Sequence, residues 1–346
     1  YLGKITTATV PSSWRDLKVY DDHVFIVSEA AGHGMQVFDL RQLIGLDSKQ
    51  NFTADYIYSG YGQAHNIAIN TETGYAYTAG AGVAGNGKPG FGIHVLNITD
   101  PKSPELELQL PDFGYTHDAQ IVNYKGPDND YFGKEIYIGS NETKVVFIDV
   151  TDKKNPILIS EFKYDSQYTH QSWLTEDHRY ALLGDELDEA VRKIDSDGRP
   201  FYELKEDALS RTIVIDINDL DNPILHFNYI SENEAIDHNG YVNGSKFYLA
   251  NYTSGLRVID IINIEQKFFE EIGYFDTYSK DAGDHAHNIA NKTSNKASDP
   301  GDHEGKKGGD SPPFNGAWSV YPFFKSENII ISDINSGLFI VKKRAN

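Results

Sequence analysis

The chain of 346 residues contains no cysteine, so it has neither a disulfide framework nor thiol chemistry. It also lacks long hydrophobic runs, because no stretch approaches the roughly 18 consecutive apolar residues that indicate a membrane-spanning helix. The absence of cysteine leaves the cellular compartment open. Position 1 is tyrosine rather than methionine, and we therefore expect a leader peptide that precedes it and is removed.

Basic side chains are scarce relative to acidic ones, with 31 Lys and Arg against 51 Asp and Glu and a formal net charge of −20. A surface of this charge repels phosphate backbones and anionic membranes, which argues against nucleic-acid binding. The same surface is compatible with cations, glycans and basic proteins. We therefore expect a protein or glycan partner, no nucleic acid and no transmembrane segment, while the oligomeric state is open.

No segment shows a sustained apolar period of 3.6 residues, and "RQLIGL" from Arg41 predicts at most a brief helical turn. Short runs rich in Val, Ile, Tyr and Phe recur instead, bounded by Gly, Asn, Asp and Pro, as is typical of strands. Six first strands are recognisable: "WRDLKVY", "AHNIAIN", "THDAQIV", "THQSWLT", "DHNGYVN" and "NGAWSVY". Each is followed by a second strand, such as "EIYIGSN", and a third, such as "KVVFIDV".

Units of four antiparallel strands repeated in this way indicate an all-β fold, a six-bladed β-propeller. Five units have a fourth strand, whereas the sixth ends at its third. We expect the N-terminal "YLGKITT" to supply that strand, close the ring and leave no sheet edge exposed. The expectation is a single β-propeller domain over residues 1–346, with a polar insertion at 281–313 before the sixth blade. A seven-bladed ring or a two-sheet sandwich is the alternative.

Several longer strings resemble the choice-of-anchor B family of LVIVD-repeat proteins: "SEAAGHGMQVFDL", "GYTHDAQIVNYKGPD", "YTHQSWLTEDHRY" and "FNGAWSVYPFF". The resemblance runs from about Trp14 to Val341. It implies a β-propeller that is secreted or held at the cell surface of a bacterium, and it brings no established biochemical activity.

A polar residue at the start of the first strand is a candidate for chemistry, because first strands line the central axis of a propeller. Aligning these strands on their patterns gives Arg15, His65, His117, His170 and His238 at this position. Neutral imidazoles on consecutive blades can bind one metal ion, so the four histidines are the predicted metal ligands. Arg15 can hold an anionic group of a substrate.

Acidic and amide residues follow the first strands or leave the second strands and are expected at the same end of the axis. The predicted ligand-binding set comprises Arg15, Asp16, Glu29, Asp118, Asp185, Glu186, Asn251 and Asp333. Carboxylates behind the imidazoles would fix their tautomers. In the competing interpretation, each histidine bonds a neighbouring loop and only pins the repeat.

Two function classes therefore remain open. The first is a secreted or cell-surface binding or scaffold module that uses the His- and acid-rich axial face. The alternative is a metal-dependent extracellular enzyme, such as a lyase, hydrolase or oxidase, with a divalent ion (a transition metal or Ca²⁺) at the axis.

Overall fold

The computed structural model describes residues 1–82, 92–110, 113–206, 208–278 and 314–343, which form six small antiparallel sheets. The predicted all-β fold, a six-bladed β-propeller, is confirmed. The chain divides into two compact units, residues 1–124 with 131–161 and residues 125–130 with 162–346. The single domain over 1–346 stays a prediction, and the predicted insertion at 281–313 lies outside the described residues.

Three blades lie in the first unit, each with its strands hydrogen-bonded in chain order from first to fourth. Blade one contains β2 (Arg15–Tyr20), β3 (His23–Ser28), β4 (Met35–Asp39) and β6 (Tyr56–Tyr58). Blade two contains β7 (Asn66–Asn70), β8 (Tyr75–Ala79), β9 (Ile93–Asn97) and β10 (Glu105–Leu110). Blade three contains β11 (Asp118–Asn123), β12 (Glu135–Ser140), β13 (Lys144–Asp149) and β14 (Ile157–Lys163).

Blades four, five and six belong to the second unit and follow the same strand order. Blade four contains β15 (Thr169–Leu174), β16 (Tyr180–Asp185), β19 (Leu209–Asp216) and β20 (Ile224–Glu234). Blade five contains β21 (Gly240–Asn243), β22 (Lys246–Ala250), β23 (Leu256–Asp260) and β24 (Glu270–Phe275). Blade six contains β25 (Ala317–Tyr321), β26 (Asn328–Asp333) and β27 (Gly337–Lys342).

Burial explains why the strand types differ in sequence. The second strands β12 and β16 are buried at every residue, so "EIYIGS" and "YALLGD" are nearly continuous apolar runs. The fourth strand β14 is largely exposed, and its sequence "ILISEFK" is more polar. The second strands thus form the packed interior of these blades, and the fourth strand is partly exposed to solvent.

The predicted ring closure by the N-terminus is wrong, because β1 (Gly3–Ile5) pairs in parallel with β5 (Gln50–Phe52). The amide of Gln50 donates to the carbonyl of Leu2 at 2.8 Å. The backbones approach so closely that a Cβ on Gly3 would lie 1.9 Å from the Gln50 carbonyl oxygen. The connection between β4 and β6 therefore offers a nearby backbone edge that takes up the N-terminal segment. The sixth blade has three strands among the described residues, and not the four predicted for every blade.

A hairpin of β17 (Ala190–Ile194) and β18 (Pro200–Leu204) lies between the second and third strands of blade four and was not predicted. The brief helical turn is confirmed as a 3₁₀ helix at Leu40–Leu43, and a second lies at Ile264–Gln266. The described residues include no helix with the length and hydropathy that a membrane crossing requires.

Candidate functional site

Strand pairing corrects the predicted alignment of the first strands by one residue. Arg15 pairs with Ser28 in blade one, just as Asn66 pairs with Ala79 in blade two. Arg15 is therefore the counterpart of Asn66, and Trp14 is the counterpart of His65. The same register holds in the other blades, and the residues at the histidine position are Trp14, His65, His117, His170, His238 and Trp318.

In the first unit, His65, His117 and Glu29 form a group that we call the Glu29 cluster. The two imidazole rings lie 4.0 Å apart between centroids at an interplanar angle of 44°. The Nδ1 of His65 donates to Oε1 of Glu29 at 2.6 Å. Beside them, the side-chain amide of Asn66 donates to Asp118 at 2.8 Å. This arrangement links the entrances of consecutive blades.

The electrostatics of the Glu29 cluster favour a protonated His65. Burial lowers the pKa of His65, but the hydrogen bond to Glu29 and the charges of Glu29, Asp118 and Asp16 outweigh burial and raise it overall. An imidazolium has no lone pair for a metal ion. The geometry therefore resembles a pin more than a metal site.

In the second unit, His170, His238 and Glu186 form the corresponding group, which we call the Glu186 cluster. The rings of the two histidines lie 4.1 Å apart between centroids at 46°. Both histidines are buried, with side-chain exposures of 2% and 3%. The Nε2 of His170 is 3.8 Å from Oε2 of Glu186, and the Nε2 of His238 is 3.7 Å from Oε1. These distances exceed those of hydrogen bonds.

Local backbone features aim these side chains. His170 is the extra residue of a β-bulge, because Thr169 pairs with Asp185 while Gln171 pairs with Gly184. Bulges re-aim a side chain and are frequent beside functional sites. Glu186 directly follows β16, where its amide donates to the carbonyl of Tyr168 at 3.1 Å.

Hydrogen bonds around the Glu186 cluster fix the tautomer of His238 and the position of the carboxylate. The Nδ1 of His238 donates to the backbone carbonyl of Trp318, which leaves the lone pair of Nε2 directed at Glu186 when the ring is neutral. The hydroxyl of Tyr252 donates to Oε1 of Glu186 at 2.6 Å. Tyr252 is fully buried at a positive φ of 33°, an uncommon conformation that is frequent at functional sites.

Aromatic rings form a dry shell on this side of the cluster. The ring of His238 lies 4.8 Å from Tyr252 and 4.7 Å from Trp318 between centroids. Burial, and then the charge of Glu186 and the hydrogen bond to it, raises the pKa of Tyr252 well above its usual range. The Tyr252 hydroxyl therefore remains a donor to the carboxylate.

The Glu186 cluster has the dimensions of a metal site. One ligand atom of each of the three residues lies within 4.8 Å of the other two. Metal–ligand distances of about 2.1 Å in tetrahedral geometry place the ligands about 3.4 Å apart, close to the separations between imidazole and carboxylate found here. The cluster could therefore hold a divalent ion after small side-chain movements.

Three further acids lie next to these residues in the chain, and we call Asp188, Glu189 and Asp237 the carboxyl cluster. Their ligand atoms also lie within 4.8 Å of one another. Burial, together with the charges of Asp237 and Asp188, raises the pKa of Glu189 to about 12. Burial is likewise the main cause that raises the pKa values of Asp188 and Asp237. In the sequence, Asp188 and Glu189 follow Glu186 in the acidic string "DELDE".

Other residues of the predicted ligand set form hydrogen bonds with nearby residues of the chain. Arg15 donates to Thr7 at 2.7 Å and to the carbonyl of Ser12 at 3.0 Å. Asp16 accepts from Lys18 at 2.6 Å, and the fully buried Asp185 accepts from Tyr164 at 2.9 Å.

Two of the predicted residues serve the second unit in the same way. Asn251 donates to Ser210 at 2.9 Å, and Asp333 accepts the amides of Asn335 and Ser336 at 2.8 and 2.6 Å. These contacts are those of loop-pinning residues. A ligand role for them stays a prediction, as it does for Asp118.

Residues that the sequence interpretation missed are Tyr252 and Asp237. "ANYTSG" places Tyr252 in a loop with no motif, so its contact with Glu186, far away in the chain, left no local signal. Asp237 stands directly before His238 and could have been noticed as a second polar residue at a strand entrance.

Comparisons with known proteins show a similarity of fold alone. A protein from Lactobacillus plantarum is similar with a TM-score of 0.54 at 12% identity over 94% of this chain and 80% of its own. A functionally unknown protein from Desulfotomaculum acetoxidans DSM 771 is similar with a TM-score of 0.53 at 12% identity over 97% and 91%. No protein-family model and no curated protein matches the chain.

Proposed function

We propose that this protein is a secreted or cell-surface β-propeller that binds a divalent transition-metal ion through His170, Glu186 and His238. The observation that carries the proposal is the separation of 3.7 and 3.8 Å between the two Nε2 atoms and the two oxygens of one carboxylate. These separations are longer than a hydrogen bond and close to the spacing between two ligands of one ion.

The donor set indicates the class of metal. Two imidazole nitrogens and one carboxylate suit Zn²⁺ or Fe²⁺ and are less suited to Ca²⁺, which prefers oxygen ligands. The hydrogen bond from His238 Nδ1 to the Trp318 carbonyl and that from Tyr252 to Glu186 are the kind of outer contacts that orient metal ligands.

The number of protein ligands bears on activity. The fold supports a generic binding or scaffold module, and propellers host both binding proteins and enzymes. The three ligands found among the described residues would leave a coordination position open, which is typical of catalytic rather than structural zinc sites. This favours the metal-dependent enzyme, with a hydrolase or lyase reaction at an ion-bound water, over a purely structural ion.

The location follows from the resemblance of the chain to the choice-of-anchor B family. Members of that family are held at the bacterial surface, and the strings that carry the resemblance run through both compact units. Secretion can be tested separately by fractionation of the native host with an antibody against the chain.

Elemental analysis of protein purified without chelator tests the metal proposal. We expect one transition-metal ion per chain, which chelator removes and Zn²⁺ or Fe²⁺ restores. Glu186→Gln should lose the ion, whereas the matched variant Glu29→Gln should keep it. A wild-type protein that takes up none of Zn²⁺, Fe²⁺, Mn²⁺ or Cu²⁺ contradicts the proposal.

A second candidate function, glycan binding, rests on an aromatic cluster at the far end of the first strands of the second unit. Its rings lie 4.8–6.4 Å from their neighbours and belong to Trp173, Tyr241, Tyr321, Phe323 and Phe324. Tyr321 is 48% and Phe324 43% exposed. Exposed aromatic faces with a polar edge suit the stacking of sugar rings.

Affinity electrophoresis in gels that contain soluble polysaccharides tests this candidate. Tyr321→Ala and Phe324→Ala should each weaken retardation by about tenfold, as expected for the loss of one stacking face. Phe132→Ala removes a ring that is 65% exposed in the first unit and is the control. Equal mobility of all variants in every gel would refute glycan binding at this cluster.

A further inference from the structure

The carboxyl cluster combines burial with an excess of negative charge. Glu189 is 3% and Asp237 is 1% exposed, so the cluster is not a solvated acidic surface. Asp188 pairs with Arg211, whose Nε donates to Oδ2 at 2.6 Å. Among the described residues this is the ion pair that the cluster makes, so three carboxyl groups face one guanidinium, and full ionisation would leave two negative charges uncompensated.

Four oxygens of the cluster have no hydrogen bond within the described part of the chain: Asp188 Oδ1, Glu189 Oε2 and both carboxylate oxygens of Asp237. Asp188 and Glu189 face each other, and when both are ionised neither has a hydrogen to donate to the other. The other oxygen of Glu189, Oε1, accepts a hydrogen bond from the backbone amide of Arg211 at 2.9 Å. Buried polar atoms without partners are rare in folded proteins, and a bound ion is one of the explanations for them.

The fold also reserves space for the carboxylate of Asp237. A Cβ at position 184 would lie 2.3 Å from its Oδ2, and Gly184 leaves that space free. The corresponding residues of other second strands are Ser28, Ala79, Ser140 and Ala250, all of which carry a Cβ. Asp237 is therefore held among the other two acids although it has no hydrogen-bond partner there.

We propose that Asp188, Glu189 and Asp237 form a second metal site, which takes a hard divalent cation and prefers Ca²⁺. The donors are oxygens only, the ligand atoms lie within 4.8 Å of one another, and one divalent ion would compensate the two excess charges of the ionised cluster. Mg²⁺ is the less favoured occupant, because it retains several waters and this cluster is buried.

This site is distinct from the transition-metal site, although Asp237 precedes His238 and Asp188 lies two residues after Glu186. Their donor sets differ, with nitrogen and oxygen in the Glu186 cluster and oxygen alone here. The two proposals can consequently succeed or fail independently.

Equilibrium dialysis of the full chain against Ca²⁺ alone, after chelator treatment, tests the second site. We expect one Ca²⁺ per chain with a Kd of about 1 mM or tighter, and a melting temperature that rises with Ca²⁺. Asp237→Asn and Glu189→Gln preserve shape and remove one charge each, and each should weaken Ca²⁺ binding by at least about tenfold. His238→Ala should retain Ca²⁺ while it loses the transition metal.

The control is an acidic group with the same ligand spacing on the surface, Asp128, Asp219 and Asp221. Asp219→Asn should leave Ca²⁺ binding unchanged. The proposal is overturned if the wild type binds neither Ca²⁺ nor Mg²⁺ at millimolar concentration, or if Asp237→Asn and Glu189→Gln bind Ca²⁺ as the wild type does. If both variants fail to fold, the wild-type dialysis alone decides, and a metal-free wild type would mean that protons neutralise the cluster.

Discussion

The two histidine pairs of this protein have the same geometry and different carboxylate partners. His65 and His117 stack at 4.0 Å in the first unit, and His170 and His238 stack at 4.1 Å in the second. In the first pair, Glu29 bonds one ring directly at 2.6 Å. In the second, the single carboxylate stands 3.7 and 3.8 Å from both rings.

Under the proposed function, a residue repeated once per blade does not have one role. The strand register brings each histidine to the same place, and the loop that follows a second strand then decides its chemistry. A direct bond to Glu29 favours an imidazolium and a structural pin. In the second pair, Tyr252 donates to the carboxylate, and an Nε2 atom of each histidine lies 3.7–3.8 Å from it, the spacing on which the proposed metal site rests.

Alanine substitutions of the four histidines should produce the largest difference between the two pairs. We expect His170→Ala and His238→Ala to weaken transition-metal binding by more than about 100-fold, since even outer contacts of a metal ligand are worth 10- to 100-fold. His65→Ala and His117→Ala should leave the affinity within about threefold and instead lower stability by about 1–3 kcal/mol. Metal titration and urea unfolding of the four variants provide both quantities.

A loss of metal in all four variants would show that both pairs take part in one site. Unchanged metal binding in all four variants would show that the histidines of the Glu186 cluster only stabilise the fold.

Much of the fold follows from the sequence for a simple reason. Strands in a propeller are local and repeat, so the Val- and Ile-rich runs and the turns between them predicted every strand of the six blades. The exceptions depend on pairing partners. The N-terminal strand was assigned to blade six because a strand was missing there. It pairs instead with Gln50–Phe52, a strand that no sequence pattern predicted.

The candidate site was predictable in part. The four histidines were recognisable by their repeated position, and Glu186 by its place after a second strand. The alignment of Arg15 with them was wrong, because an alternating pattern does not fix a register to within one residue. The grouping into pairs and the part of Tyr252 depend on side-chain directions and on contacts between blades, which one sequence does not encode locally.

A substitution at Gly184 tests a second difference between the units, because blade four has glycine where blades one to three have serine or alanine. Gly184→Ala would place a Cβ 2.3 Å from Oδ2 of Asp237, and we expect a loss of about 1–3 kcal/mol in the free energy of unfolding. Blades one to three carry a Cβ at this register without such a neighbour. Guanidinium unfolding measures the change.

The double variant Gly184→Ala with Asp237→Ala is the control. Because the second change removes the clashing carboxylate, the cost of the first should fall, with a coupling of about 0.5–3 kcal/mol. Additive effects would show that position 184 is sensitive for another reason.

The pH dependence of stability tests the pin in the first unit. Burial lowers the pKa of His65, but Glu29 and the neighbouring acids raise it overall, so the folded protein holds this proton more tightly than the unfolded chain does. The resulting stabilisation is present below the ordinary histidine pKa of about 6.5 and is lost as pH rises through the raised value. Glu29→Gln should therefore destabilise by about 1–2 kcal/mol near pH 6, and by less at higher pH.

Urea unfolding at a series of pH values measures this difference, with His65→Gln as the background that should abolish it. If the difference in unfolding free energy between wild type and Glu29→Gln grows as pH rises, the ion pair between His65 and Glu29 is contradicted. The Glu186 cluster provides the contrast, since Zn²⁺ bound there should be released as pH falls and the imidazoles gain protons.

The smallest expected effect concerns the hydroxyl that holds Glu186 in place. Tyr252→Phe removes the hydrogen bond to Oε1, at 2.6 Å, and keeps the ring packed 4.8 Å from His238. Glu186 retains its charge but loses its orientation, so the affinity for the transition metal should fall by about tenfold. The fold should survive, because the aromatic shell is unchanged. Zn²⁺ titration with a competing chelator resolves a change of this size.

Tyr115→Phe is the matched variant in the first unit, where the charge of Glu29 contributes to a raised pKa of Tyr115 after the larger effect of burial. It should leave Zn²⁺ affinity unchanged, because Glu29 bonds His65 directly and needs no tyrosine to hold it away from the rings. If Tyr252→Phe also binds Zn²⁺ as the wild type does, Glu186 is positioned by the backbone of the turn after β16. The difference between the two carboxylates would then originate in loop geometry rather than in their hydrogen-bond partners.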